Sequence, residues 1–177
     1  MTEQELVAAA LKLGFSKAAV IDTGKIVFEP SFRIYCQDNL CGKYGANYSC
    51  PPDCGTTDHM KAKILAYPKA IVLQTLSPIE DITDNEQVKP LKAAHNLKTR
   101  ALLDLIDPNG LMAGASGCSL CSPCAITEGL PCRFPEKAYS CLSAYCVYVK
   151  ELARLCGMEY FCESGTLALF SLCCFAG

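Results

Sequence analysis

The chain has 177 residues, of which 14 are cysteine, 51% are hydrophobic and 19% are charged, with a formal net charge of −2. That balance belongs to a folded chain with a sizeable core. It argues against disorder and against a nucleic-acid binder, which usually carries a basic surplus.

Thr2-Glu-Gln-Glu5 is a capping box, and Leu6, Ala10 and Leu13 then recur on one face of a helix that stops at Gly14. Lys17 to Asp22 reads as a short strand, and residues 24–35 as mixed strand and turn. A cysteine loop follows over residues 36–54, with Cys36, Cys41, Cys50 and Cys54 at spacings of x4, x8 and x3. Gly42, Gly45 and the pair Pro51-Pro52 make it irregular, suited to wrapping around an object rather than joining a ladder. Thr57 is the expected cap of a helix carrying Met60, Ile64 and Tyr67, ended by Pro68. Lys69 to Thr75 is a buried strand, and the acidic stretch 77–85 a solvated loop. Val88, Leu91, His95, Leu102 and Ile106 outline a helix that ends at Asp107-Pro-Asn-Gly110, and Leu111 to Ser116 is a strand leading into a second cysteine loop.

That loop spans residues 118–135 and holds Cys118, Cys121, Cys124 and Cys132. After it, Ala138, Leu142, Tyr145, Val149, Leu152 and Cys156 recur at 4-3-4-3-4 spacing and predict an amphipathic helix closed by Gly157. Met158 to Cys162 and Leu167 to Phe175 read as two strands of a hairpin. The order α-β-loop-α-β-α-β-loop-α-β-β predicts an α+β fold, a single mixed sheet with helices packed on it and two cysteine-rich cluster-binding loops. We read residues 1–177 as one metal-binding domain.

The chemistry lies in the two loops. The run Cys118-Ser-Leu-Cys121-Ser-Pro-Cys124 lets three thiolates take three irons of one [4Fe-4S] cube, as in bacterial ferredoxins, and Cys132 is followed closely by Pro135. The spacer Ala125 to Pro131 is longer than in ferredoxins and leaves open whether Cys132 closes this cluster or another. Zinc is the alternative, although it more often takes two separate C-x2-C pairs. The eight cysteines Cys36, Cys41, Cys50, Cys54, Cys118, Cys121, Cys124 and Cys132 match the number needed for two four-cysteine clusters. Cys141, Cys146, Cys156, Cys162, Cys173 and Cys174 are read as buried core thiols. Cys54 decides one question. Without it, the first cluster would have an iron open to water, sulfide or substrate.

Other groups carry less. His59 and His95, the only histidines, read as ordinary helix residues. No phosphate-binding glycine run and no G-x-S-x-G elbow occurs. Arg33, Lys43, Arg133 and Lys137 flank the loops and either offset cluster charge or are simply solvated. The N-terminus lacks the basic-then-apolar pattern of a signal peptide, and no apolar run reaches the roughly 18 residues of a membrane span. The expected location is the cytoplasm, where clustered cysteines point to metal rather than disulfides. Such thiol density also suits an anaerobe.

Together, Cys36, Cys41, Tyr44-Gly45 and Cys50-Pro51-Pro52 in the first loop resemble a cysteine-rich family of predicted metal-binding proteins of anaerobic bacteria and archaea. Cys118-x-Leu-Cys121-x-x-Cys124, Pro131-Cys132-Arg133-x-Pro135 and Tyr139-Ser140 carry the same resemblance in the second, while Tyr145 and Cys146 depart from the family's usual Gly and Ile. The resemblance implies metal binding and no established reaction. Three functions remain in view: an iron–sulfur protein with two [4Fe-4S] clusters that passes electrons to a partner enzyme, a redox or sulfur-chemistry enzyme with an open iron, and a zinc-stabilised interaction module. The expected partner is a redox protein, with no nucleic acid and no membrane. The oligomeric state stays open, a homodimer included.

Overall fold

A computed structural model describes residues 1–161 and 163–177. The first helix, α1 (Glu3–Lys12), starts as its sequence dictates: Thr2 accepts from the Glu5 backbone N–H while the Glu5 carboxylate accepts from the Thr2 N–H. β1 (Lys17–Asp22) follows, then the five-residue helix α2 (Arg33–Gln37), which opens the first cysteine loop. After that loop come α3 (Thr57–Leu65), β2 (Lys69–Pro78), the long helix α4 (Asn85–Ile106) and β3 (Leu111–Gly114). The second cysteine loop leads to the two-residue strand β4 (Ser140–Cys141), α5 (Val149–Leu155) and β5 (Thr166–Phe175).

The strands form one mixed sheet in the order β1-β2-β5-β3-β4. β5 lies at its centre and runs antiparallel to β2 along ten residues, from Lys69 opposite Phe175 to Pro78 opposite Thr166. β3 is antiparallel to β5, and only β3 and β4 are parallel. Because successive side chains on a strand point to opposite faces, each strand feeds two cores. Ile71, Leu73, Met112, Cys173 and Phe175 pack with Leu6 and Ala10 of α1 and Leu102 and Leu103 of α4. Ala70, Val72, Ala113, Leu172 and Cys174 pack on the other face with Met60 and Ile64 of α3 and Leu152 and Ala153 of α5. The adjacent pair Cys173 and Cys174 is thus split between two apolar layers, and both thiols are fully buried. The expectation of an α+β fold with one mixed sheet holds.

Three expectations need correction. The helix predicted from Ala138 to Cys156 exists only as α5, because Ser140 and Cys141 instead pair with Ala113 and Gly114 at the sheet edge. The chain then turns through residues 142–146 and closes that turn with Cys146 at a left-handed φ of 56°. Leu142, Tyr145 and Leu152 are all buried, so the spacing reported burial correctly while the backbone took another route to it. The strand predicted at Met158 to Cys162 is not formed by residues 158–161, and Cys162 lies outside the described residues. Gln74 donates to the Glu159 carbonyl at 2.7 Å and holds that stretch as a loop, while β5 takes β2 and β3 as neighbours in place of a hairpin partner. The cap of α3 is Thr56, whose hydroxyl accepts from the His59 N–H at 3.2 Å, and not Thr57. Among the described residues no helix is long and apolar enough to cross a membrane.

Candidate metal centre

The second loop is built as a pocket. β3 delivers the chain at Gly114, and Asn96 of α4 fixes the exit: its side-chain oxygen accepts from the Ala115 N–H and its amide donates to Ser116, each at 2.9 Å. The spacer that seemed too long for a ferredoxin run is a compact return. Ala125–Glu128 forms a 3-10 turn, and Gly129 reverses the chain at a φ of +68°, a conformation glycine adopts without strain. The Leu130 N–H returns to the Ala125 carbonyl at 3.1 Å. Cys118, Cys121, Cys124 and Cys132 consequently line one small pocket. Arg133 stands at its wall. Its guanidinium donates to the Pro123 carbonyl at 3.3 Å and pairs with Glu128, and a hydrogen bond to the Cys121 sulfur is the main reason its pKa is raised.

The first-loop cysteines lie apart from that pocket. Arg33 and Cys36 are three residues apart on α2 and share a face. Arg33 donates to the Gly55 carbonyl at 2.8 Å and to the Ala144 carbonyl at 3.0 Å, tying α2 to the end of the first loop and to the turn after β4. Its buried Nε has no partner. Cys50 and Cys54 are buried one turn apart, the Cys54 N–H bonding to the Cys50 carbonyl at 3.0 Å, whereas Cys41 is exposed.

Burial raises the pKa of Cys36 to about 11, helped by negative charge on Cys141 and opposed by Arg33. Burial lifts Cys50 to about 12, again with Cys141 adding and Lys43 opposing. Cys54 and Cys141 are also raised, with burial the first cause in each case. These thiols are therefore protonated at neutral pH. A bound cation reverses that preference by deprotonating the thiols it coordinates.

The two loops are clamped together. Asn47 donates to the Cys118 carbonyl at 2.9 Å, Lys43 to the Gly117 carbonyl at 3.4 Å and Tyr48 to the Leu130 carbonyl at 2.7 Å. Gly117 packs closely at this contact: a Cβ there would stand 3.0 Å from the Cys50 sulfur. That glycine directly precedes Cys118 in the chain.

Among the described residues no three His, Cys, Asp or Glu side chains converge closely enough to hold a metal ion as they stand. The donor chemistry nevertheless fits a thiolate-bound metal or cluster. The groups are soft, the guanidinium ions of Arg33 and Arg133 stand near them, and the buried Arg33 Nε is left without an acceptor. The sequence reads Cys141 as a buried core thiol beside the stripe of the last helix; it lies instead in β4, where its charge is felt at Cys36 and Cys50. His95, read from sequence as an ordinary helix residue, is 1% exposed and bonded to Thr75 and Ser171 inside the sheet–α4 core.

No curated protein and no solved structure matches the chain. Residues 19–174 match the model of the family described as Predicted metal-binding protein (DUF2284), and the chain belongs to that family.

Proposed function

We propose that the protein is a cytoplasmic iron–sulfur protein with two [4Fe-4S] clusters that exchanges single electrons with a partner protein. The observation that carries this reading is the pocket that Cys118, Cys121, Cys124 and Cys132 line, in contact through Gly117 with Cys50 of the first loop. When bound, such clusters supply reversible one-electron storage. The chain's own task is then to ligate, insulate and tune. The thiols of the second loop hold one centre, and those of the first loop hold the other. Arg133 at Cys121 and Arg33 near Cys36 and Cys54 offset negative charge, which favours the reduced state. The contact of Cys50 with Gly117 keeps the two thiol sets adjacent, which suits passage of an electron between them.

Each loop also bears exposed apolar side chains, Ile34, Tyr35 and Leu40 near the first and Leu120, Leu130 and Phe134 in the second. Exposed apolar groups beside a redox centre support a protein partner over a small diffusible one. One observation favours the open-iron enzyme as a second reading: Cys54 packs into the apolar core with Met60 and Ile64, which leaves Cys36, Cys41 and Cys50 as the first-loop thiols outside the two apolar clusters.

The test is an anaerobic redox titration followed by visible absorption and EPR. Reversible one-electron bleaching with no substrate present supports the carrier. A spectrum that changes only when a small ligand is added supports the enzyme, and a colourless protein defeats both.

A further inference from the structure

We infer that Cys141 is the fourth ligand of the first centre, which is held by Cys36, Cys41, Cys50 and Cys141, with Cys54 a core thiol. This assignment rests on the metal-binding reading above.

The geometry begins at the sheet edge. β4 pairs in parallel with β3 so that Cys141 lies opposite Gly114, and the Leu142 N–H bonds to the Gly114 carbonyl at 3.0 Å. Three residues beyond Gly114 is Gly117, which touches the Cys50 sulfur. The same short segment thus places Cys141 on one side and Cys50 on the other. α2 approaches from a third direction. Arg33 reaches the Ala144 carbonyl, three residues after Cys141, and Cys36 shares the face of α2 that makes this contact. Cys41 completes the ring from the exposed part of the loop. Charge on Cys141 is felt at Cys36, Cys50 and Cys54, and charge on Cys41 at Cys36, Cys50 and Cys141, so packing rather than proximity separates Cys54 from the rest.

Cys141 also has the surroundings of a thiolate ligand. It is partly buried against the apolar layer of α3 and α5, and the backbone amides of Ala144 and Ser143 favour its charged form, the Ala144 N–H donating to the Cys141 carbonyl at 3.0 Å. Such donors are the usual means of orienting a metal-bound sulfur and spreading its charge. The left-handed Cys146 closes the turn that presents these N–H groups.

The competing thiols are committed elsewhere. Cys54 is 8% exposed, sits in the apolar cluster with Ile26, Met60, Ile64 and Cys174, and its S–H donates to the Gly55 carbonyl at 3.8 Å. Cys146 is 1% exposed and points to the Pro30 carbonyl at 4.0 Å. Cys50 is equally buried but belongs to neither apolar cluster. The assignment closes the open iron without Cys54. It also makes the first centre a staple between the first loop and the sheet edge.

The experiment compares wild type with Cys141→Ala and Cys54→Ala after anaerobic reconstitution, counting iron and acid-labile sulfide per chain. The wild type is expected to hold about eight of each, Cys54→Ala the same, and Cys141→Ala about half, with the EPR signal of the second centre retained as proof of folding. A full complement in Cys141→Ala, or a halved one in Cys54→Ala alone, overturns the assignment.

A measurement on unmutated protein guards against a variant that fails to fold. Thiol alkylation mapped by mass spectrometry should label Cys141 in chelator-stripped protein and spare it in loaded protein. Cys156, half-buried on α5's C-terminal cap, should label alike in both states. Equal labelling of Cys141 in the two states overturns the assignment. Zinc in place of iron would defeat the iron–sulfur reading alone, and the same variants would then be scored by zinc count. A chain that takes up neither metal defeats both proposals.

Discussion

His95 gives the fold an acid-sensitive point. The Thr99 hydroxyl donates to the His95 carbonyl at 2.9 Å, so its single proton is spent. The Ser171 hydroxyl, 2.8 Å from Thr99, must then donate to it. Ser171 is left to accept from His95 Nε2–H at 2.8 Å, and His95 Nδ1, bare of hydrogen, accepts from Thr75 at 2.7 Å. The network suits a neutral imidazole. Burial, with a smaller contribution from the charge of Lys98, lowers the His95 pKa from 6.5 to about 4. Phe15 lies against the ring edge-on and supplies no charge.

The sign follows from linkage. Between pH 6.5 and 4 the unfolded chain binds a proton that the folded chain refuses, so stability is full above pH 6.5 and falls as the pH drops through this window. At about 1.4 kcal/mol per unit, the loss comes to about 3 kcal/mol, a large part of a typical domain's 5–15 kcal/mol. With only two histidines in the chain, an NMR titration resolves the residue directly. One histidine should titrate near pH 4, and urea midpoints should fall between pH 7 and 4.5 more steeply in wild type than in His95→Asn. Two histidines titrating near 6.5, or equal slopes in the two proteins, would refute the reasoning.

Leu172 is fully buried at the centre of β5, and Leu172→Ala should cost about 2–5 kcal/mol of unfolding free energy, read from denaturant midpoints at unchanged m-value. Gly117→Ala places a methyl group against the Cys50 sulfur; a destabilisation of about 1–3 kcal/mol and an altered spectrum of the first centre should follow, both visible by thermal melting and EPR. Arg133→Gln removes the cation at Cys121, so the second centre's reduction potential should become more negative in a spectroelectrochemical titration while the first centre's moves less.

Local signals read well where the backbone obeyed them. The Thr2 capping box, β1, and the run of β2 follow directly from caps and apolar runs. So does the split of Cys173 and Cys174 into core positions, since strand alternation alone buries both. The long-range consequences were harder to read. Nothing in Ser140-Cys141 distinguishes an edge strand from a helix stripe, because a two-residue strand has no period and its partner lies at Ala113-Gly114. The same gap hid Cys141 from the first-loop thiols. The return of Cys132 to the pocket depended on Gly129 reversing the chain, a turn that an unusual spacer length suggests but does not define. His95 reads from sequence only as an ordinary helix residue, because the hydroxyls that hold it come from β2, β5 and α4.

The central claim is that this chain holds iron and sulfide in two thiolate sites. Its most direct test is the content of iron, zinc and acid-labile sulfide in protein purified without oxygen. About eight irons and eight sulfides per chain, with negligible zinc, is the predicted result. Zinc without sulfide, at one or two ions per chain, would contradict it and leave a structural metal module.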